Sequence, residues 1–258
     1  MPHDSLLIDR QGPVAVVSFN RPDRLNAFDS VLRTELPGAL AQIESDDSVR
    51  VVIITREGRA FSAGADLKDT PLAAEVQDVL MRDFKPSLDA IAQSAKPYIA
   101  AIHGACAGIG AAYALTCDLA VMEEDAYIYQ AFAAIGLIPD GGCHWHLARA
   151  LGYKRAYAAI IGAEKIPAAD CLAAGMVNRV VAPGEARAEA LRWAAEIAQG
   201  APRTLRHAKT VLRAAMTETL EQSFAREAAL QADCATSADA ANAIKSFFAK
   251  EKPVFTGA

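Results

Sequence analysis

Two short stretches of small residues present main-chain groups that can bind negative charge. The first is Phe61-Ser62-Ala63-Gly64-Ala65-Asp66-Leu67, which follows an apolar run ending at Thr55. The second is His103-Gly104-Ala105-Cys106-Ala107-Gly108-Ile109-Gly110, between an apolar run and a helix-like stretch. Small side chains let a ligand approach the backbone, and the N–H groups at a helix start lack intrahelical acceptors and face an anion or a developing oxyanion. Tight turns alone would account for the same glycines, so either loop by itself leaves both readings open. A nucleotide phosphate fits poorly. Gly108-Ile109-Gly110-Ala111-Ala112-Tyr113 lacks the third glycine of GxGxxG, and no GxxxxGKS/T run occurs.

Other reactive residue types read as structural. His144 and His146 stand two apart, a spacing at which helical side chains do not face one another. No third ligand is near in sequence, so no metal site is expected. Cys106 and Cys143 have no base at a defined spacing and read as small buried thiols. Glu123, Glu124 and Asp125 form a charged run expected to be a solvated turn. Asp66 is placed to fix its own loop through a hydrogen bond to nearby backbone. Tyr129 and Gln130 are expected to line or brace a pocket.

Positioning both loops requires strands that end beside them. Leu6–Ile8 and Val14–Phe19 flank Gly12-Pro13 and read as an antiparallel pair. Val49–Thr55, Tyr98–Ile102, Leu119–Met122, Ala126–Tyr129 and Val177–Val181 read as further strands, several apolar at nearly every position, as in a sheet covered on both faces. Helices are expected over Asp29–Glu44 with an interruption at Pro37-Gly38, over Leu72–Gln93, over Ala111–Thr116 and between Pro167 and Gly175. Strands alternating with helices imply crossover connections and a mostly parallel α/β sheet, whose ligands sit at the carboxyl ends of the strands. From Glu185 to Lys250 the chain is Ala-rich and helical, with Ile244, Phe247 and Phe248 on one stripe.

Composition narrows the partners. The chain has 258 residues, 52% apolar and 22% charged, enough to bury a large core. A net charge of −5 provides no footprint for nucleic acid, and no basic amphipathic stretch suggests a membrane surface. Five scattered cysteines suit a reducing compartment, so a cytoplasmic location is expected. Met1-Pro2-His3-Asp4-Ser5 holds an early acid and no apolar run, so no signal peptide is expected. Tyr98–Cys117 is long and apolar, but Gly104, Gly108 and Gly110 break it into strand, turn and helix.

Several ordered motifs resemble the crotonase (enoyl-CoA hydratase/isomerase) superfamily. They are Asn20-Arg21-Pro22 with Asn26-Ala27, Ala60 through Lys68, Lys96-Pro97 through Gly104, Cys117-Asp118-Leu119-Ala120, Gly136 through Gly142, Gly175-Met176-Val177-Asn178 and Lys252-Pro253-Val254-Phe255. The resemblance implies a spiral of ββα units with a C-terminal helical region: residues 1–184 as the acyl-CoA-binding core, and 185–258 used in oligomerisation and lining the CoA site. It implies a homotrimer or hexamer acting on an acyl-CoA thioester, with coenzyme A as part of the substrate and no separate cofactor. By motif position the oxyanion hole is the N–H groups of Ala65 and Ile109, and Ala63, Gly64, Asp66, Leu67, Gly108 and Phe132 contact the substrate. Ile109 stands where glycine is usual, and its bulk is expected to narrow the pocket.

One departure bears on the reaction. The two glutamates of a typical hydratase in the family fall here on Ala112 and Phe132, neither of which can move a proton. By resemblance, Asp140 in Ile138-Pro139-Asp140-Gly141-Gly142 matches the catalytic aspartate of isomerase members. A single carboxylate suffices to remove a proton and return it to another carbon. Pro-Asp-Gly is also a turn signature, and Asp140 could cap a helix starting near Cys143. Phe132, Ala133, Ile135 and Ile138 are expected as apolar walls that raise its pKa. The sequence favours an isomerase that shifts a double bond in an enoyl-CoA. A hydratase, an acyl-CoA hydrolase or dehalogenase, and a non-catalytic acyl-CoA binder stay open.

Overall fold

Every residue of the run Val14–Phe19 is buried, and that fact sets the architecture: a strand apolar on both faces must be covered on both. The computed structural model describes residues 5–69 and 73–258. Residues 1–4, on which the expectation about a signal peptide partly rests, and Leu72, the expected start of a helix, lie outside the described residues.

In chain order the first elements are β1 (Leu6–Gln11), β2 (Val14–Phe19), α1 (Ser30–Ser45), β3 (Val51–Arg56) and α2 (Val76–Val79). A π turn over Leu80–Phe84 joins α2 to α3 (Lys85–Gln93). There follow β4 (Tyr98–Ile102), β5 (Ala105–Ala107), α4 (Ile109–Thr116), β6 (Leu119–Glu123) and β7 (Tyr127–Tyr129). The chain continues with α5 (Cys143–Leu151), α6 (Tyr153–Ile161), β8 (Lys165–Pro167), α7 (Ala168–Ala173) and β9 (Arg179–Val181). It finishes with α8 (Ala186–Ile197), α9 (Pro202–Ala215), α10 (Leu220–Ala235) and α11 (Ala238–Ala249).

The strands β1-β2-β3-β4-β6-β9 form one sheet, parallel except for the β1/β2 hairpin. Alternate residues divide between its two faces. Val17, Val52, Ile54, Ala100 and Met122 pack into the main core with α1, α3 and α4. Val16, Val51, Ile53, Ile99 and Val121 face Ala186, Ala190, Ala194 and Ala198. Those four alanines recur every fourth residue, so α8 lies close on the sheet with one small-residue stripe. Thus α8, part of the helical region expected from Glu185 onward, covers one face of the parallel sheet.

A second, shorter ladder gives the fold its spiral. Strands β5, β7 and β8 pair in that order, and isolated parallel bridges join Phe28 to Ala65 and Ser62 to Cys106. Successive turns of the coil therefore contribute one strand to the large sheet and a short segment to this ladder, followed by a helix. That is the expected ββα repeat. The expected break at Pro37 is absent: α1 runs through it, capped at Asp29, whose side chain accepts the Leu32 N–H. Pro37 cannot donate to the carbonyl four residues back. Burial of Leu32, Leu36, Ala39, Leu40 and Ile43 offsets that loss.

Candidate active site

The two small-residue loops meet. Phe61 N–H donates to His103 O, Ser62 N–H to Ala105 O, and Ala107 N–H to Ser62 O, so the loops run as parallel neighbours. Glycines allow the backbones to approach. A Cβ on Gly64 would stand 3.3 Å from Ala107 O, and one on Gly108 would stand 3.4 Å from Gly64 Cα. Both also hold left-handed φ values, +98° and +53°, which favour glycine.

The Asn20–Ala27 motif braces the first loop from below. The Asn26 amide donates to Glu57 O and Ala60 O and accepts from Arg21 N–H. Ser62 Oγ donates to Asn26 O and accepts from Gly64 N–H. Arg21 reaches Asp29 at 2.8 Å and Asp66 at 3.1 Å. Asp66 also accepts the Lys68 N–H, the local bond expected from sequence. Burial pushes the Asp66 carboxyl up, but these bonds outweigh it and hold it below the usual carboxylate range.

The second loop is held from the other side. Gly108 N–H donates to Tyr129 O, while the buried Gln130 amide donates to Cys143 Sγ, which in turn points at Gly108 O. Cys143 is buried and its thiol is pushed up to about 12, and burial likewise raises the Cys106 thiol. Neither thiol is placed to serve as a nucleophile. His144 is exposed, whereas His146 is partly buried against Thr116 at 3.4 Å and pushed down to about 4 by burial. The two imidazoles do not converge.

Where the loops meet, a cavity of about 380 Å³ opens. Ala63, Gly64, Ala65, Asp66, Leu67, Gly108, Phe132 and Asp140 all line it. Ile109 does not. Its side chain is 1% exposed and turned toward Gly141, where an added Cβ would fall 2.3 Å from Ile109 Cδ1 and 2.6 Å from Ala112 Cβ. Ile109 therefore fills space beneath the Asp140 turn, beside Ala112, instead of narrowing the cavity as its bulk suggested. The N–H groups of Ala65 and Ile109 donate to no acceptor among the described residues, and Ile109 is the first residue of α4. The second loop is thus a helix start with a free donor, as its sequence implied.

Asp140 sits in the turn before α5, where Cys143 N–H donates to Asp140 O. The helix cap is Gly142, with no side-chain bond, so the Asp140 carboxyl is not used as a cap. Its Oδ1 is buried and has no hydrogen-bond partner among the described residues. Burial raises the carboxyl to about 6, against a smaller opposing effect of its own backbone amide. The walls only partly match expectation. Phe132 and Ile135 face the cavity, but Ala133 is exposed and Ile138 is 76% exposed. Val76, Val79, Leu80, Phe84 and Leu137 replace them, Leu80 and Phe84 from the two ends of the π turn.

Two charged residues depart from the sequence reading. Glu123 is 6% exposed and accepts the Ala186 N–H at the start of α8, so it is no solvated turn residue, although Glu124 and Asp125 are exposed. Arg33 lines the cavity and went unnoticed. The signal was present: Arg33, Leu36, Leu40 and Ile43 share one buried helical stripe, and a cation on such a stripe calls for a reason. Another groove, of about 530 Å³ between α9 and α10, contains neither loop. No described helix is long and apolar enough to cross a membrane.

Residues 9–258 match the family described as enoyl-CoA hydratase/isomerase, and the chain belongs to that family. A protein from Rhodobacter capsulatus named "Probable enoyl-CoA hydratase" is 35% identical over 247 residues, covering 95% of each chain. The 1,2-epoxyphenylacetyl-CoA isomerase of Escherichia coli K12 is 33% identical over 249 residues, again 95% of each. Among solved structures, an enoyl-CoA hydratase from Polaromonas sp. JS666 superposes with a TM-score of 0.91 at 31% identity, covering 97% of this chain and 99% of that one.

Proposed function

We propose that this chain is an acyl-CoA enzyme that moves a double bond within an enoyl-CoA thioester. The observation that carries the reading is the state of Asp140: a carboxyl in the shared cavity, one oxygen buried without a partner, with its pKa raised toward neutrality. A general base works best when its pKa lies near the working pH. The thioester oxygen would sit between the N–H groups of Ala65 and Ile109, which have no acceptor among the described residues. Donors fixed in advance at a developing oxyanion typically contribute about 3–4 kcal/mol each, and the α4 dipole has the same sign.

The sequence of steps is short. Asp140 takes a proton from a carbon next to the double bond, the dienolate charge moves onto the thioester oxygen, and Asp140 returns the proton to another carbon. The transfer is redox-neutral, so it calls for no nicotinamide, and coenzyme A enters as part of the substrate. Asp66 lines the same cavity but is held by Arg21 and Lys68, so it serves to fix the loop. Hydration would require a second acid–base group, and the two positions that provide it by resemblance hold Ala112 and Phe132. The same reading takes the chain as a cytoplasmic homotrimer or hexamer, with residues 185–258 contributing to assembly and to the CoA site.

Absorbance of the conjugated thioester tests the reaction. A 3-enoyl-CoA should gain conjugation, and a 2-enoyl-CoA should not lose it. Loss of absorbance from the 2-enoyl ester would mean hydration, release of free thiol would mean hydrolysis, and binding without any turnover would mean a silent acyl-CoA binder.

A further inference from the structure

Among the described residues, the cavity walls are apolar except at three side chains. Asp140 is used by the proposed reaction, and Asp66 is held by Arg21 and the Lys68 amide. The third is Arg33, which that reaction does not use. Its side chain is 7% exposed, its guanidinium carbon lies 5.5 Å from the centre of the Phe84 ring, and Nη2 reaches Asp69 at 3.4 Å. Nε is buried and has no acceptor among the described residues. Nη1 has no acceptor among the described residues either. A buried donor left unmade costs free energy, and on a cavity wall a partner that arrives with the substrate would offset that cost.

We infer that the acyl group taken by this cavity carries an oxygen acceptor, and that Arg33 is the residue that selects it. The inference rests on the acyl-CoA reading above and adds the class of acyl group to it. Asp69 already engages one guanidinium nitrogen, so the remaining N–H groups act as directional donors on a preorganised planar fork. The guanidinium also lies over the Phe84 ring at 5.5 Å, a cation–π contact that holds it against the cavity wall. Methylene groups could not use those donors. A keto or carboxylate oxygen could, and a carboxylate would add charge to the bond.

The test is equilibrium binding of unreactive saturated thioesters of equal chain length to the wild-type chain: hexanoyl-CoA, 5-oxohexanoyl-CoA and adipyl-CoA. At least one oxygenated ester is expected to bind about tenfold or more tightly than hexanoyl-CoA. Preference for the keto ester would identify a neutral acceptor, and preference for adipyl-CoA an anionic one. Arg33→Met should abolish the preference while leaving hexanoyl-CoA bound as before, and Arg33→Lys should keep part of it. Wild-type binding of hexanoyl-CoA as tight as that of both oxygenated esters would overturn the inference and leave the enzyme reading intact. Equal weakening of all three esters by Arg33→Met would do the same. If none of the three binds better than free coenzyme A, the acyl-CoA reading itself fails.

Discussion

The Phe61–Leu67 loop and the Pro139–Gly142 turn each bring one aspartate to the same cavity, and they treat it in opposite ways. Asp66 is tied to Arg21 and to the Lys68 amide and stays below the ordinary carboxylate range. Asp140 receives no bond from another residue at its buried oxygen and is pushed up to about 6 by burial. Two identical side chains thus acquire different chemistry from their surroundings. One is a fixed charge that shapes a loop, and the other is a group that can exchange a proton near neutrality.

The sharpest way to break this contrast is to remove the titration of Asp140. Asp140→Asn should lower kcat by about 10²- to 10⁴-fold, roughly 3–5 kcal/mol of barrier, while acyl-CoA affinity changes little. Steady-state turnover beside equilibrium binding checks both halves. Undiminished turnover would end the proposed role.

A large effect on stability is expected at the position where a hydratase glutamate falls. Ala112 is fully buried, and its Cβ and the Ile109 tip already fill the space beneath Gly141. Ala112→Glu should therefore destabilise the fold by about 3 kcal/mol or more, combining overpacking with an unpaired buried charge. Adding Ile109→Ala should recover part of that loss in denaturant melts by returning volume.

The two aspartates should also have opposite effects on stability. A pKa raised on folding means that the folded state binds more protons than the unfolded one between about pH 4 and 6. Stability is then lost as pH rises through that window. Asp140→Asn should make the chain more stable at pH 7 by up to about 3 kcal/mol and flatten that part of its pH profile. Asp66 has the reverse sign: its contribution is present above the ordinary aspartate pKa and fades as pH falls. Asp66→Asn should cost about 1 kcal/mol at pH 7, discounted for its partial exposure. Urea midpoints from pH 4 to 8 would read both.

The smallest change is to pH alone. Because the proposed reaction uses the base form of Asp140, kcat/KM should fall toward tenfold per unit below about pH 6 and level off above it. A profile flat from pH 5 to 8 would separate catalysis from this carboxyl.

Much of the frame was legible because long apolar runs leave few alternatives. Val14–Phe19, Val49–Thr55 and Tyr98–Ile102 read as strands, and the structure has buried strands over Val14–Phe19, Val51–Arg56 and Tyr98–Ile102. The second ladder was legible only in part: Ala126–Tyr129 reads as a strand and contains β7, whereas Ala105–Ala107 and Lys165–Pro167 are three residues each and the Phe28–Ala65 and Ser62–Cys106 bridges are single pairs, too short to show a period. Around the site, the family motifs indicated which loops mattered, but side-chain direction depends on tertiary packing. Ile138 turns outward from an irregular segment, and Ile109 turns toward Gly141. Glu123 was misread because its charged neighbours suggested solvent, whereas the start of α8 covers it. Arg33 was overlooked because one charge on an apolar stripe is easily taken for a boundary residue.

The parallel contacts between the two loops have a consequence for how such a site can change. Ala65 and Ile109 belong to successive turns of one coil, and the spacing of their amides is set by backbone pairing through Ser62, Ala105 and Ala107. Side-chain identity scarcely enters. Substitutions at 33, 112, 132 or 140 can therefore exchange the proton-handling and recognition groups while the amide pair stays where the coil puts it. On the proposed reading, a lineage built on this scaffold can change its reaction one side chain at a time while the amide pair proposed to hold the carbonyl stays intact.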